Sequence, residues 1–404
     1  MMVKTLPVRS IIDAVAGAAA AWSDARFEPR RRALDAVGAR TGYSQPVVEF
    51  AFDRLFRPLT GDAIAAVIAG ELGSLDVLDA FVHRGTRWAT RALPIGRVCV
   101  ISSRTTIGAA IVPAIFALCA KCAVLVKDRE DHLVSAFFAT LTKMHAELGD
   151  AVAARPWRGE SDAVNLDAFD SIVSFGNDRT LAAISASLQF PTRLIAYPSK
   201  ISAGYLTLSS LARQRDADAA ACGAARDMLL YDGEGCLSLR VLFVERGAEV
   251  SPTRFCETLS DAIEDAAREF PAVASAESSA RRATARDMAS LRSDRDQRIF
   301  TDARSSYLVV LDPPLDQPPL LLARALSVYS VADPREAVAY IERHGIPLEA
   351  LAVAESNANL RNVAAGLGAS RMTLLGSLQE PPLGEFHGGR PRIAEFVRWI
   401  SDET

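Results

Sequence analysis

Cys236 stands in "YDGEGCLSL" (231–239), behind Gly233 and Gly235 and just ahead of the apolar run "LRVLFVE" (239–245). Glycines let a backbone turn tightly and approach a ligand closely. A cysteine presented in such a turn, with backbone N–H groups near its sulfur, ionises more readily and becomes a nucleophile. The same residues also suit a buried cysteine that only fills space, and local chemistry leaves both readings open. Histidine offers no neighbouring base, because His83, His132, His145, His344 and His387 all lie far from it in the chain.

A second set of polar residues follows strand-like runs. Ser102, Ser103, Arg104 and Thr105 come at or after the end of "GRVCVISS" (96–103), Lys127 near the end of "AVLVKD" (123–128), and Gly176, Asn177 and Asp178 at the end of "SIVSFGN" (171–177). In parallel sheets, ligands gather at the carboxyl ends of strands. Lys127 there suits a hydroxyl or a phosphate, or is a solvated lysine. Gly176 could open a helix N-terminus toward a phosphate, with Asp178 as the helix cap. Neither GxGxxG nor GxxxxGK[ST] occurs, so a nucleotide-binding fold here is a variant one. Cys119 and Cys122 form "CAKC", but no second CxxC follows, and the pair lies between a helix and a strand instead of opening a helix. It reads as packing, with no metal site.

The elements that must position these residues follow from periodicity. Through about residue 90, "SIIDAVAGAAAAW", "QPVVEFAFDRLFRPL" and "GDAIAAVIAGELG" are apolar at helical spacing. From Pro94, short buried strands alternate with helices: strands at 96–103, 123–128, 171–177 and 192–198, then 239–245, 306–312, 350–356 and 371–377, with a helix around 252–268. Alternation of this kind predicts doubly wound parallel sheets. The segment 274–304, rich in Ala, Ser, Arg and Asp, predicts a solvated helix. A chain of 404 residues suits two domains. A net charge of −4 with no long basic run argues against nucleic-acid binding. The N-terminal apolar patch is interrupted by Asp13 and too short to span a bilayer, so it reads as an amphipathic helix. Scattered cysteines without an export signal point to a reducing cytoplasm.

The order of these pieces resembles the aldehyde dehydrogenase superfamily, and more narrowly its bacterial luminescence-type (LuxC-like) fatty acyl-CoA reductases. "PIGRVCVISS…PAIFALCAKCAVLVKD" is similar to the stretch from the first strand to the cofactor-binding lysine, and "SFGND" to the helix entry over a nicotinamide cofactor. "DGEGC" is similar to the loop carrying the thiol nucleophile. "LSVYSVADPREAVAYIERHGIPLEALAVAES" and "GEFHGGRPRIAEFVRWI" resemble the late catalytic segment and the C-terminal return. The resemblance covers most of residues 80–404. It implies an α/β fold with a variant Rossmann cofactor domain and a second α/β catalytic domain. Residues 1–90 would be the helical part of the cofactor domain and 91–205 its nicotinamide-binding part. Residues 206–370 would carry Cys236, and 371–404 would form a return and oligomerisation segment.

It also implies a mechanism in which Cys236 attacks an acyl thioester of coenzyme A or a carrier, and hydride reduces the acyl-enzyme to an aldehyde. The oxyanion would be held by the Cys236 N–H and Thr105, where aldehyde dehydrogenases keep an asparagine. Lys127 would bind the adenosine ribose or its 2′-phosphate, with Ser102, Ser103, Gly176, Asn177 and Asp178 lining the same site. Arg129 suits the phosphate of NADPH, while Glu130 suits the ribose of NADH; the resemblance favours NADPH. Aldehyde-oxidising members carry a water-activating glutamate in a Glu-Leu-Gly-Gly motif ahead of the cysteine. Here no Asp or Glu occurs between Arg179 and Arg215, which argues against hydrolysis and for exchange with a thiol. An acyl-phosphate reductase of the same fold, for which Arg240 is the one close basic residue, a non-redox cysteine acyltransferase, and an interaction protein on the same scaffold are the alternatives. A homodimer or larger assembly through "FVHRGTRWATRALP" (81–94), and a partner enzyme supplying the acyl group, are also expected.

Overall fold

The computed structural model describes residues 2–85, 87–102, 106–129, 131–157, 164–273, 275–292 and 298–404, and every count below refers to these. The chain divides into two compact units: residues 1–199 with 382–386 and 390–404, and residues 200–381 with 387–389. The boundary read at 205/206 falls inside a strand of the second unit, which places the division at Ser199–Lys200 instead. Likewise the 371–404 return is shared between the units, since its first strand completes the second unit's sheet.

The first unit opens with α1 (Val8–Ser23), α2 (Glu28–Thr41), α3 (Gln45–Phe56) and α4 (Gly61–Leu72). Of these, α2 escapes the periodicity reading, because its Arg-rich sequence buries only Arg30, Ala33 and Val37. There follow β1 (Val82–His83), β2 (Ala89–Pro94), β3 (Arg97–Ile101), α5 (Ile111–Cys119), β4 (Ala123–Lys127), α6 (Leu133–Met144), β5 (Val152–Arg155), β6 (Ser171–Phe175), α7 (Asp178–Ser187) and β7 (Arg193–Tyr197). Strands β3 to β7 make a parallel sheet in the order β5-β4-β3-β6-β7. The chain runs outward from β3 to β5 and then returns to β6 on the other side of β3. That reversal opens a crevice at the carboxyl ends of β3 and β6. On one face Cys99 and Ile172 pack toward Ile184 and Leu188 of the α7 segment.

The second unit contains β8 (Ile201–Leu206), α8 (Gln214–Leu229), β9 (Leu239–Glu245), α9 (Pro252–Glu269), α10 (Ala276–Arg292), β10 (Arg298–Phe300), β11 (Leu308–Leu311), β12 (Ala325–Val331), α11 (Pro334–Arg343), β13 (Leu348–Val353), α12 (Ala358–Gly366) and β14 (Arg371–Leu374). Their sheet has the order β10-β11-β12-β9-β8-β13-β14, parallel except for β10. Helices α8 and α9 cover one face through Ala221, Phe255 and Leu259, and α11 and α12 cover the other through Tyr340, Ile341 and Leu360. The solvated helix expected within 274–304 is α10. In the first unit, β15 (Val397–Asp402) closes an antiparallel sheet with β2 and β1. Among the described residues, no helix is long and apolar enough to cross a membrane.

The helical start of the first unit is held by Trp22, which is fully buried. Its ring lies 5.0 Å from Phe56, and its Nε1–H donates to Thr140 Oγ1 of α6 at 3.0 Å. Trp22→Ala removes the ring volume and the donor to Thr140 Oγ1, so urea unfolding is expected to show a loss of about 3–5 kcal/mol.

Candidate active site

Helix α8 ends at Leu229, and the chain then takes three successive left-handed residues: Tyr231 (φ 55°), Asp232 (φ 51°) and Gly233 (φ 71°). For tyrosine and aspartate this costs about 1–2 kcal/mol each, so the surroundings must hold it. They do so through Arg324, itself buried, whose backbone N–H donates to Asp232 O at 2.9 Å and whose Nε donates to Asp232 Oδ1 at 2.6 Å. Its Nη2 donates to Phe270 O at 2.8 Å. Gly233 is required twice over, by its positive φ and because a Cβ there would lie 2.9 Å from Met228 O.

The next turn carries Cys236. It closes by Ser238 N–H donating to Gly235 O at 3.0 Å, and Ser238 Oγ accepts from Gly235 N–H at 3.2 Å. Gln379 Nε2 donates to the same Oγ at 3.0 Å, and Ser202 Oγ, in β8, donates to Cys236 O at 2.9 Å. The brace extends further. Asp227 of α8 is fully buried and accepts from Gly376 N–H (2.6 Å) and Leu378 N–H (3.0 Å), holding the segment that brings in Gln379. Burial pushes the Asp227 carboxyl up to about 7 against those two bonds.

Cys236 is partly exposed at the end of this construction. Cys99, Cys119, Cys122 and Cys256 are buried. Burial pushes the thiols of Cys99 and Cys119 up to about 12 and that of Cys122 to about 11, and raises Cys256 as well. The "CAKC" pair therefore consists of two packed thiols. The remaining cysteine, Cys222, is exposed on α8. Cys236 lies three residues ahead of β9, so it occupies the amino-terminal edge of its sheet, opposite in sense to the carboxyl-end groups of the first unit.

Those groups lie as the strand order requires. The register pairs Ile101 with Lys127 and Lys127 with Arg155, placing Ser102 and Lys127 on one edge. The Lys127 ammonium sits 5.2 Å over the Trp157 ring. Arg129 donates through Nη2 to Ser102 O, so its guanidinium is turned back toward the end of β3. Gly176 donates its N–H to Tyr197 O at 3.2 Å and leads into α7. The cap of α7 is Asn177, whose Oδ1 accepts from Thr180 N–H at 2.8 Å, and not Asp178, which is the first helical residue. The assignments to Ser103, Arg104, Thr105 and Glu130 fall outside the described residues. Arg240, the basic residue nearest Cys236 in sequence, is buried in β9 and donates through Nη1 to Leu322 O at 2.5 Å.

One group on the cysteine's edge escapes the sequence reading. Glu349 is nearly fully buried; its Oε2 lies 3.4 Å from Lys200 Nζ, and its Oε1 accepts from Gly388 N–H at 2.8 Å and faces His387 Nδ1 at 3.8 Å. The sequence shows His387 only as distant along the chain, which leaves its place in the fold open; the structure sets it beside Glu349.

Sheets of this order and a cysteine loop of this build define an aldehyde dehydrogenase fold. The chain superposes on an NAD-dependent benzaldehyde dehydrogenase from Corynebacterium glutamicum with a TM-score of 0.73 at 16% identity, covering 100% of this chain and 87% of the other. It superposes on an NADP-dependent glyceraldehyde-3-phosphate dehydrogenase from Bacillus halodurans with a TM-score of 0.71 at 14% identity, covering 99% and 87%. Within that class the sequence profile of the acyl-CoA reductase (LuxC) family matches residues 3–399, and the chain belongs to this family. It is 20% identical over 393 residues to a long-chain acyl-protein thioester reductase from Aliivibrio fischeri, covering 95% of this chain and 79% of that protein.

Gly233→Ala is expected to destabilise the protein by more than about 1 kcal/mol, because alanine is strained at that φ and its methyl meets the Met228 carbonyl. Denaturant unfolding measures the loss. Modification of Cys236 by a bulky thiol reagent, followed by peptide mass spectrometry, is expected to change with it.

Proposed function

We propose that the protein converts an acyl thioester to an aldehyde, with Cys236 as the residue that takes up the acyl group. The observation that carries this reading is the loop itself: strained backbone and four buried partners hold one partly exposed thiol at a sheet edge. The Cys236 sulfur bonds to the carbonyl carbon of R–CO–SR′, the bond to SR′ breaks, and the thiol proton passes to the leaving sulfur, so that R′SH leaves as the thiol of coenzyme A or of a carrier. The strand beside the loop presents Ser202 to the Cys236 carbonyl, and no carboxylate occurs between Arg179 and Arg215. This favours an acyl-enzyme that is not hydrolysed. Arg240 is committed to a backbone carbonyl, which disfavours an acyl phosphate as substrate.

The first unit fits a nicotinamide dinucleotide by its donor set: a lysine and a serine at adjoining strand ends, and a glycine entry into α7 across the crevice between β3 and β6. When bound, that cofactor supplies the hydride. Lys127 and Ser102 would hold its adenosine ribose and the start of α7 its pyrophosphate; Arg129, at the strand end and only partly buried, would exchange its bond to Ser102 O for a 2′-phosphate, which favours NADPH. Thr105 keeps the oxyanion role that the family resemblance implies. Assembly of two copies through the sheet of β1, β2 and β15 belongs to the same proposal.

Incubation with NADPH and a panel of acyl-CoAs is expected to give aldehyde. Cys236→Ala is expected to abolish it while leaving the melting temperature within a few degrees; retained activity would overturn the reading. The acyl label on the wild type is expected to be removed by neutral hydroxylamine, and the label on Cys236→Ser to resist it. Lys127→Ala is expected to raise the cofactor KM about tenfold or more, equivalent to about 1.4 kcal/mol, with cofactor-independent acylation of Cys236 unchanged.

A further inference from the structure

The amino-terminal edge of the second sheet holds more than the cysteine loop. Strands β9, β8, β13 and β14 lie side by side. Cys236 leads into β9, Lys200 and Ser202 stand at the head of β8, Glu349 at the head of β13, and Ser370 just ahead of β14. Neighbouring strands are about 4.8 Å apart, so the heads of β9 and β13 are separated by about 10 Å, a gap that two facing side chains span. Ser202 already bridges half of it: its hydroxyl bonds Cys236 O, and its backbone is registered with Ala350.

Glu349 is aimed by a defect in the strand. The β8–β13 register slips between Leu348 and Ala350. Leu348 and Ala350 are two residues apart, yet they pack in the clusters on opposite faces of the sheet, with Leu351 and Val353 following Leu348 and Ala352 following Ala350. A regular pleat forbids this, so Glu349 is the inserted residue of a bulge, a device that re-aims a side chain. It puts a carboxylate in a nearly fully buried place, which is costly unless compensated. The compensation comes from Lys200, which also donates to Ser370 Oγ at 3.1 Å, and from Gly388 N–H. The same carboxylate faces His387 Nδ1. The ring thus turns its Nδ1 edge to Glu349, and Glu385 brings a second carboxylate within 4.8 Å of the pair. The other histidine of this unit, His344, has its Nε2 3.0 Å from Leu315 O at the end of α11.

We propose that His387 is the acid–base residue for thioester exchange at Cys236, with Glu349 and Lys200 as its positioning residues. This rests on the thioester reading above. His387 takes the proton of Cys236–SH as the sulfur bonds to the carbonyl carbon of R–CO–SR′. As the C–SR′ bond breaks, the imidazolium returns that proton to the leaving sulfur, so that R–CO–SR′ and Cys–SH become R–CO–S–Cys and R′SH. The step consumes no electrons and needs no cofactor.

The test is single-turnover acylation of Cys236 by an acyl-CoA without cofactor, read by mass spectrometry on the full chain. His387→Gln and His387→Ala are expected to slow it about 100-fold with melting temperatures unchanged, and added imidazole to restore part of the rate to His387→Ala alone. Glu349→Gln is expected to give a smaller loss, in rate and not in the concentration of acyl-CoA at half-saturation. Alkylation of Cys236 by iodoacetamide near neutral pH, which involves no acyl group, is expected to slow in both His387 variants. Wild-type rates of acylation and alkylation in both variants would overturn the proposal and leave the thioester reading standing. Slowed acylation with neither imidazole rescue nor slowed alkylation would assign His387 a structural role and overturn it equally. Slowed alkylation in a protein whose wild type never acylates would support the His387–Cys236 link and sink the thioester reading.

Discussion

The ion pair between Arg324 and Asp232 is the interaction on which the cysteine's position depends. Helix α8 could run no further and still deliver Cys236 to the sheet edge, so the chain reverses through left-handed backbone at Tyr231, Asp232 and Gly233. Two of those residues pay a steric cost that glycine does not. Charge-assisted hydrogen bonds from one buried guanidinium, each contributing about 1.5–3 kcal/mol, are of the right size to offset it. Arg324 adopts φ 52° itself, so both sides of the contact use left-handed backbone. Residues drawn from distant parts of the unit then hold the loop.

The two units use opposite edges of their sheets. In the first, the reversal between β3 and β6 leaves a crevice at the carboxyl ends, where Ser102, Lys127 and Gly176 lie. In the second, the candidate residues gather where strands begin. The interior strand β8 makes this feasible through its glycine. A Cβ on Gly204 would come within 2.7 Å of Leu242 Cδ1, so the side chains of β9 close over it. Gly223 does the same for α8, whose approach to the Leu375 carbonyl leaves no room for a methyl. Close approach at these two glycines carries Asp227 and the segment with Gln379 to the cysteine loop.

Much of the fold was legible in the residues. Strands β3, β4, β6 and β9 are short runs of Val, Ile and Leu, since a strand buried on both faces needs no polar alternation. Helix α9 matches the helix read around 252–268, and α10 followed from the Ala-, Ser-, Arg- and Asp-rich composition of 274–304. Strand β8 was not legible, because "ISAGYL" has the composition of a loop until Leu239 and Leu242 are packed on it. The cap of α7 was misplaced by one residue, since Asn177 and Asp178 are both good caps and only the backbone decides which precedes the helix. At the site, Cys236 with its glycines and the missing carboxylate upstream could be read directly. Glu349, His387 and Lys200 could not: nothing local distinguishes them, and the bulge that aims Glu349 exists only as a mismatch between two strands.

The sequence by itself determined the class of fold, singled out Cys236 as the candidate thiol and left no carboxylate between Arg179 and Arg215, because these rest on local pattern: apolar runs, glycines that free the backbone, and residue types present or missing in a given stretch. Only the tertiary structure decided that the thiol sits at the amino-terminal edge of its sheet, that Arg324 and Gln379 hold its loop, and that a carboxylate and an imidazole from distant segments share that edge. The physical reason is that parallel strands align their starts whatever the length of chain between them, so proximity there is set by sheet order and register, which one strand's sequence does not contain.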